Sequence, residues 1–381
     1  MSKPTTLALA LAAALALSGC NPFNFLGSSS GPKPAALAPL ERPQEVRVLW
    51  TARIGSSDRF AFSPAPVGDS VFAAARAGTV VRLDAASGNE RWRVSAERRL
   101  SGGVGADART VVVATEEGVV IALDAADGKQ RWRARVSSEV LAAPTIGAGL
   151  VLVRSVDNRI FAFGEDDGKR RWVYQRAPAS LIVRSPAGVT IVGDTAFAGF
   201  SGGKLAAIAL SNGGVRWEST VALPKGATEL ERVTDVVGEP VVQGREVCAA
   251  AYQGRVGCFE TGNGRQLWSR EVSSLTGVSL DARYAYVSDD RGAVHALDRS
   301  NGRSLWKQDK LSNRQLSMPG SAGNAVVVGD FEGYVHFLSR DSGAFVARYA
   351  SGGGAVRAAP VNLAASVLVQ TQDGTLIALS L

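Results

Sequence analysis

Few residues in this 381-residue chain could act chemically as a set. It holds two histidines, His295 and His336, and three cysteines, Cys20, Cys248 and Cys258. A zinc site needs three or four converging His, Cys or carboxylate ligands, and neither HExxH nor the phosphate-cradling GxxxxGK[ST] occurs. The histidines fall in one slot, Ala293-Val-His295 and Tyr334-Val-His336, as a structural repeat would place them. Asp84, Asp124 and Asp298 also recur with the repeat, at the end of a strand-like unit, where short carboxylates cap turns. No catalytic residue, cofactor site or metal site is assigned, and the chain reads as a non-enzyme. Cys248 and Cys258 flank the Gln253-Gly254 turn and so lie on adjacent strands. Whether they form a disulfide or remain two buried thiols depends on register, since a one-residue slip moves a side chain to the other face.

The repeat that positions these residues is regular. Tryptophans stand at 50, 92, 132, 172, 217, 268 and 306, a period of 38 to 51 residues, which points to a repeat architecture. β-branched units such as Thr79–Asp84, Val119–Asp124 and Ala293–Asp298 alternate with glycine turns, so the repeat is built of strands. A turn residue precedes each unit: Gly78, Gly118, Asn158, Gly203, Gly254, Gly292, Gly333 and Gly374. Asn158 replaces glycine with the next residue able to hold a positive φ. Six of these turns are followed by Trp after 14 residues, as from 78 to 92; the same step from Gly333 reaches Ala347. Gly374 has only seven residues after it, while the Trp50 strand has no turn before it. A ring reconciles the two ends. The chain is expected to be all-β, an eight-bladed β-propeller over 45–381, closed by pairing the N-terminal strand with the C-terminal blade. The tryptophans are expected between blades, against a neighbour's glycine turn.

Two connections exceed the repeat. One spans 173–188 and exposes Leu181, Ile182 and Val183 beside Arg184; the other spans 218–239 and carries Glu229, Glu231, Arg232 and Asp235. They join blades 3 to 4 and 4 to 5, so they lie side by side on one face. Enlarged loops on a rigid scaffold are common binding elements, and arginine beside apolar side chains is interface chemistry. The net charge of +7 is spread without long basic runs, so nucleic acid is not an expected partner.

The N-terminus is a targeting segment. Lys3 precedes an apolar stretch, Leu7 to Leu17, too short for the ~20 residues that span a bilayer. Leu17-Ser18-Gly19-Cys20 resembles the lipobox of bacterial lipoproteins. This implies a signal peptide at 1–19 and lipidation of Cys20; Asn21 in place of an aspartate suggests the outer membrane. Residues 20–44, rich in Ser, Gly, Pro and Ala, read as a flexible linker.

The repeat itself looks like that of the pyrroloquinoline-quinone enzyme-like propellers. The quinone dehydrogenases of that superfamily use a vicinal cysteine pair, absent here, so the likeness implies the fold and no cofactor. Lipobox, linker and propeller together resemble the BamB family, lipoproteins of the outer-membrane β-barrel assembly machinery. The resemblance rests further on Ser180-Leu-Ile-Val-Arg184, on Thr228-Glu-Leu-Glu-Arg232 with Asp235, and on Val326–His336. It implies a scaffold, lipid-anchored at the outer membrane and facing the periplasm. The partner it implies is the periplasmic POTRA region of BamA, with other subunits of the machinery and unfolded outer-membrane precursors as further contacts. Leu181, Val183, Arg184 and Asp235 match docking positions; Val183 stands where Leu is common, and Val237 where a second acidic residue is common. The alternatives are a quinone-dependent dehydrogenase-like propeller and a glycan-binding propeller.

Overall fold

The computed structural model describes residues 32–177, 181–363 and 366–381. The signal segment, Cys20 and residues 178–180 lie outside them. Regular structure among the described residues is entirely β-strand, arranged as eight four-stranded antiparallel sheets. Blades 1 to 7 are sequential: 65–95, 100–135, 145–175, 189–220, 236–270, 278–308 and 320–350. Blade 8 takes three strands from 361–380 and its outermost strand, Arg47–Arg53, from the other end of the chain. That strand pairs antiparallel with Thr375–Ser380, from Arg47 opposite Ser380 to Arg53 opposite Thr375. The closure expected from the orphan Trp50 strand is therefore present.

The sequence explains why blades stack. Second strands such as Ser70–Ala74 and Ala325–Gly329 are apolar on both faces and buried throughout. Outermost strands such as Arg170–Gln175 alternate and carry the exposed charge. A lone four-stranded sheet cannot cover two apolar faces, so each blade buries them on its neighbours. Among the described residues one hydrophobic cluster fills each of the eight junctions, as Phe72, Val80, Leu100 and Val111 do between blades 1 and 2.

The tryptophans latch these junctions. Each indole Nε1–H donates to a backbone carbonyl of the next blade: Trp132 to Glu165 at 2.7 Å, Trp172 to Leu210 at 2.7 Å, Trp306 to Arg340 at 2.8 Å. The ring lies on the glycine of that blade's last hairpin. A Cβ at Gly168 (φ +64°) would stand 2.6 Å from the Trp132 ring. Burial of such a ring contributes about 2–3 kcal/mol, and the glycine is required both by φ and by contact. The turn touched is the one after the Asp unit, not the one at Gly78 and its equivalents. Asp84, Asp124 and Asp298 cap it, each accepting an amide two residues on. Blade 7 has Ala347 in the Trp slot, fully buried, and blade 8 explains why: its last two strands come from opposite chain ends, so no hairpin glycine exists there for an indole to cover.

Two further details were not legible from the repeat. Asn158 does hold φ +62°, but at the blade 5 turn the positive φ belongs to Gln253 (+47°) rather than Gly254. Residues 34–44, placed in the linker by composition, pack with the propeller, which forms one compact unit over Pro34–Leu381. Ala35 N donates to Ser312 O, Gln44 N donates to Val346 O, and Leu37 packs on the cluster between blades 6 and 7. Arg314 donates to Ala35 O and Arg348 to Ala38 O, both at 3.0 Å. Arg314, on the connection into blade 7, and Arg348, in its outermost strand, thus fix an extended strap that composition alone describes as free.

Arg314 and Arg348 belong to a buried cluster. Arg314 Nε donates to Asp330 Oδ2 at 2.7 Å, and His336 Nε2 reaches the same oxygen at 3.0 Å. Asp330 and His336 are fully buried, and Arg348 Nε donates to His336 Nδ1 at 3.3 Å. His295 makes the equivalent pair with Asp289 at 2.8 Å. Both histidines therefore anchor a turn carboxylate to the next strand. Cys248 and Cys258 stand directly opposite each other in the blade 5 ladder and form a disulfide; the register left open by sequence is settled.

Candidate functional site at the enlarged connections

The two oversized connections lie together on one face. Asp235 opens the innermost strand of blade 5, and its carboxylate reaches back to the other connection. Oδ2 accepts from Val183 N at 2.6 Å and Oδ1 from Gly202 N at 3.3 Å; Asp235 also bridges Ser201 in the backbone. Burial pushes the Asp235 carboxyl up, opposed by these two amides and by the nearby Arg154 cation. Asp235 is only 5% exposed, so it holds the 181–185 segment rather than presenting charge to a partner.

That segment displays what Asp235 secures. Leu181 and Ile182 are 44% and 41% exposed, and Val183 is half-buried. Arg184 points toward blade 3, where its guanidinium grips Glu139 at 2.5 and 3.2 Å and lies 5.8 Å from the Phe60 ring. Glu139 sits on the connection from blade 2 to 3. Three successive connections are thus tied in series, Glu139 to Arg184 and Val183 to Asp235, where the sequence showed only two of unusual length.

The second connection adds an apolar knob. Thr228 and Glu231 form a capping box: Glu231 Oε2 accepts the Thr228 and Ala227 amides, and Thr228 Oγ1 accepts the Glu231 amide. Those amides hold the Glu231 carboxyl below its usual range. The turn they fix leaves Leu230 72% exposed. Leu230 stands between Glu229 and Glu231, the charged residues that mark this loop in the sequence; its signal was the Thr-x-x-Glu spacing that encloses it. Leu275, on the next connection, is also exposed and lines the axial channel mouth with Phe60 and Arg184. Of the predicted residues, Leu181, Val183, Arg184 and Asp235 come together here. Cys20 lies outside the described residues.

The fold defines a class, the eight-bladed propeller built of pyrroloquinoline-quinone-like repeats. The family model described as outer membrane protein assembly factor BamB matches residues 76–308. The chain belongs to that family. It is 45% identical to the outer membrane protein assembly factor BamB of Bordetella pertussis, over 97% of this chain and 95% of the relative. It is 43% identical to that of Pseudomonas aeruginosa, over 97% of each. The crystal structure of BamB from Moraxella catarrhalis superposes with a TM-score of 0.82 at 28% identity, covering 88% of this chain and all of the other. The quinohemoprotein alcohol dehydrogenase of Comamonas testosteroni shares the fold alone, with a TM-score of 0.72 at 13% identity over 88% of this chain and 76% of that one.

Proposed function

We propose that this protein is a non-enzymatic scaffold of outer-membrane protein assembly, and that its connections from blades 2 to 5 dock the periplasmic POTRA region of BamA. The supporting observation is the latch from Asp235 to the Val183 amide. It presents Leu181 and Ile182 on a fixed backbone, so their burial by a partner costs little ordering entropy. In this reading Leu181, Ile182 and Leu230 supply the apolar contact. Arg184, already braced by Glu139, supplies the charged rim, and Asp235 is a positioning residue. Lipidation at Cys20 anchors the protein to the outer membrane, facing the periplasm, beside other subunits and unfolded precursors of outer-membrane barrels. A scaffold needs no cofactor, and the quinone-type alternative has only a fold likeness behind it.

Affinity purification of the full-length lipoprotein from membranes tests this. Wild type should retain BamA, and Leu181→Glu should lose most of it while keeping its thermal midpoint. Failure of the wild type to retain any assembly subunit would overturn the function; full retention by Leu181→Glu would overturn the site.

A further inference from the structure

Beneath the 181–185 segment lies a cavity of about 180 Å³. Leu141, Ala142, Val156, Ile182 and Val236 line it, with three charged groups, Arg154, Asp235 and Arg184, the last already paired with Glu139. Arg154 rises from the second strand of blade 3 and stacks its guanidinium 4.9 Å over the Phe200 ring of blade 4. It makes no hydrogen bond or ion pair among the described residues, and its Nη1 is sealed from solvent without a partner. Burial pushes its pKa down to about 10, with Asp235 opposing. Arg154 is half-buried, and a guanidinium donor sealed from water is costly unless it is met. Asp235 does not meet it: its oxygens accept the Val183 and Gly202 amides, and it acts on Arg154 only through its charge. Asn158 Nδ2 donates to Ser201 and the Ser155 hydroxyl to Asp157, and neither side chain bonds Arg154.

We propose that this cavity is a receptor for a carboxylate, supplied by an aspartate or glutamate side chain of the docked partner, with Arg154 as its counter-charge. This rests on the reading of the 181–185 segment as the docking surface. A guanidinium offers a planar fork of donors that a carboxylate matches with two parallel bonds. The cavity's size fits one acidic side chain, and a docked partner covering its mouth would displace the water that weakens the pair. Leu181 and Ile182 on the roof bring the partner to the entrance. The orphaned cation then trades stability of the free protein for discrimination, because a partner with an apolar or basic residue at this point leaves Arg154 unpaired.

The test measures the affinity of the purified POTRA region of BamA for the full chain and for Arg154→Met, together with thermal midpoints. Arg154→Met should bind about ten-fold or more weakly, yet melt no lower than wild type, because it removes a half-buried charge whose sealed donor has no partner. A purely structural arginine would give the opposite midpoint. Arg154→Lys, which keeps charge but loses the fork, should fall between them and serves should the methionine variant not fold. One partner carboxylate changed to its amide should cost affinity in wild type and nothing more in Arg154→Met. Equal binding by wild type and both variants overturns the proposal. If the wild type binds no POTRA region, the docking reading fails, and sodium glutarate at constant ionic strength decides the cavity alone. A thermal shift in wild type that Arg154→Met lacks supports a carboxylate site for a free ligand, and no shift overturns it.

Discussion

Asp235 Oδ2 accepts the Val183 amide at 2.6 Å across 52 residues of sequence. One carboxylate therefore sets the backbone of the loop that displays Leu181 and Ile182. Asp235→Asn keeps the volume but offers the Val183 amide a neutral acceptor, and charge-assisted bonds are roughly twice as strong as neutral ones. The substitution should weaken partner binding by about ten-fold while changing stability by less than about 1 kcal/mol. Isothermal titration and chemical denaturation separate the two effects. Equal losses in both would show that Asp235 serves the fold rather than the loop.

Gly168 tests the interblade latch. A methyl there meets the Trp132 ring and must also accept φ +64°. Gly168→Ala should lose about 2–4 kcal/mol, measured by urea denaturation. By contrast Gly149, at φ +73° with open space around it, should lose only the backbone part, about 1 kcal/mol.

The buried His336 gives stability a pH dependence of predictable sign. Burial pushes its pKa below the ordinary 6.5, with the Asp330 hydrogen bond opposing. As pH falls through 6.5 the unfolded chain takes the proton first, so this contribution is complete above about 6.5 and declines below it. Burial also disfavours the Asp330 carboxylate, but bonds from His336 and Arg314 outweigh it and hold that pKa under 3.8. Its contribution persists to pH values below 3.8. Relative to wild type, His336→Gln should be least stable near pH 7.5, and the gap should narrow by up to about 1.4 kcal/mol per pH unit below 6.5. A gap that widens on acidification would contradict the neutral, doubly bonded imidazole.

The disulfide closes a short loop, sequence separation 10. Its loss in Cys248→Ala with Cys258→Ala should cost about 2–3 kcal/mol. Denaturation of wild type with and without a reductant should show the same difference, and no difference would mean that the hairpin alone holds the register.

The propeller was legible because its period is covalent: the 14-residue step and the unpaired Trp50 strand force a closed ring. The length of two connections was legible for the same reason. What the chain brings together only on closure was not. Arg154 was not singled out by the repeat, because its stacking on Phe200 of another blade exists only once the blades pack. The pair of Arg184 with Glu139 likewise needs blades 3 and 4 docked. Residues 34–44 lack periodicity because extended backbone pinned by Arg314 and Arg348 requires none.

Arg47–Arg53 and the last strand of the chain pair inside blade 8, next to the junction with blade 7 where Ala347 replaces an indole. In mechanical terms this is the seam of the ring, held by the ladder between Arg47–Arg53 and Thr375–Ser380 rather than by a latch. Tension entering from the N-terminal side meets the strap at Ala35 and Ala38 before it reaches that ladder. Arg314, on the connection into blade 7, and Arg348, in its outermost strand, therefore act as strain relief, passing the load to a complete blade and sparing the joint by which the ring would open.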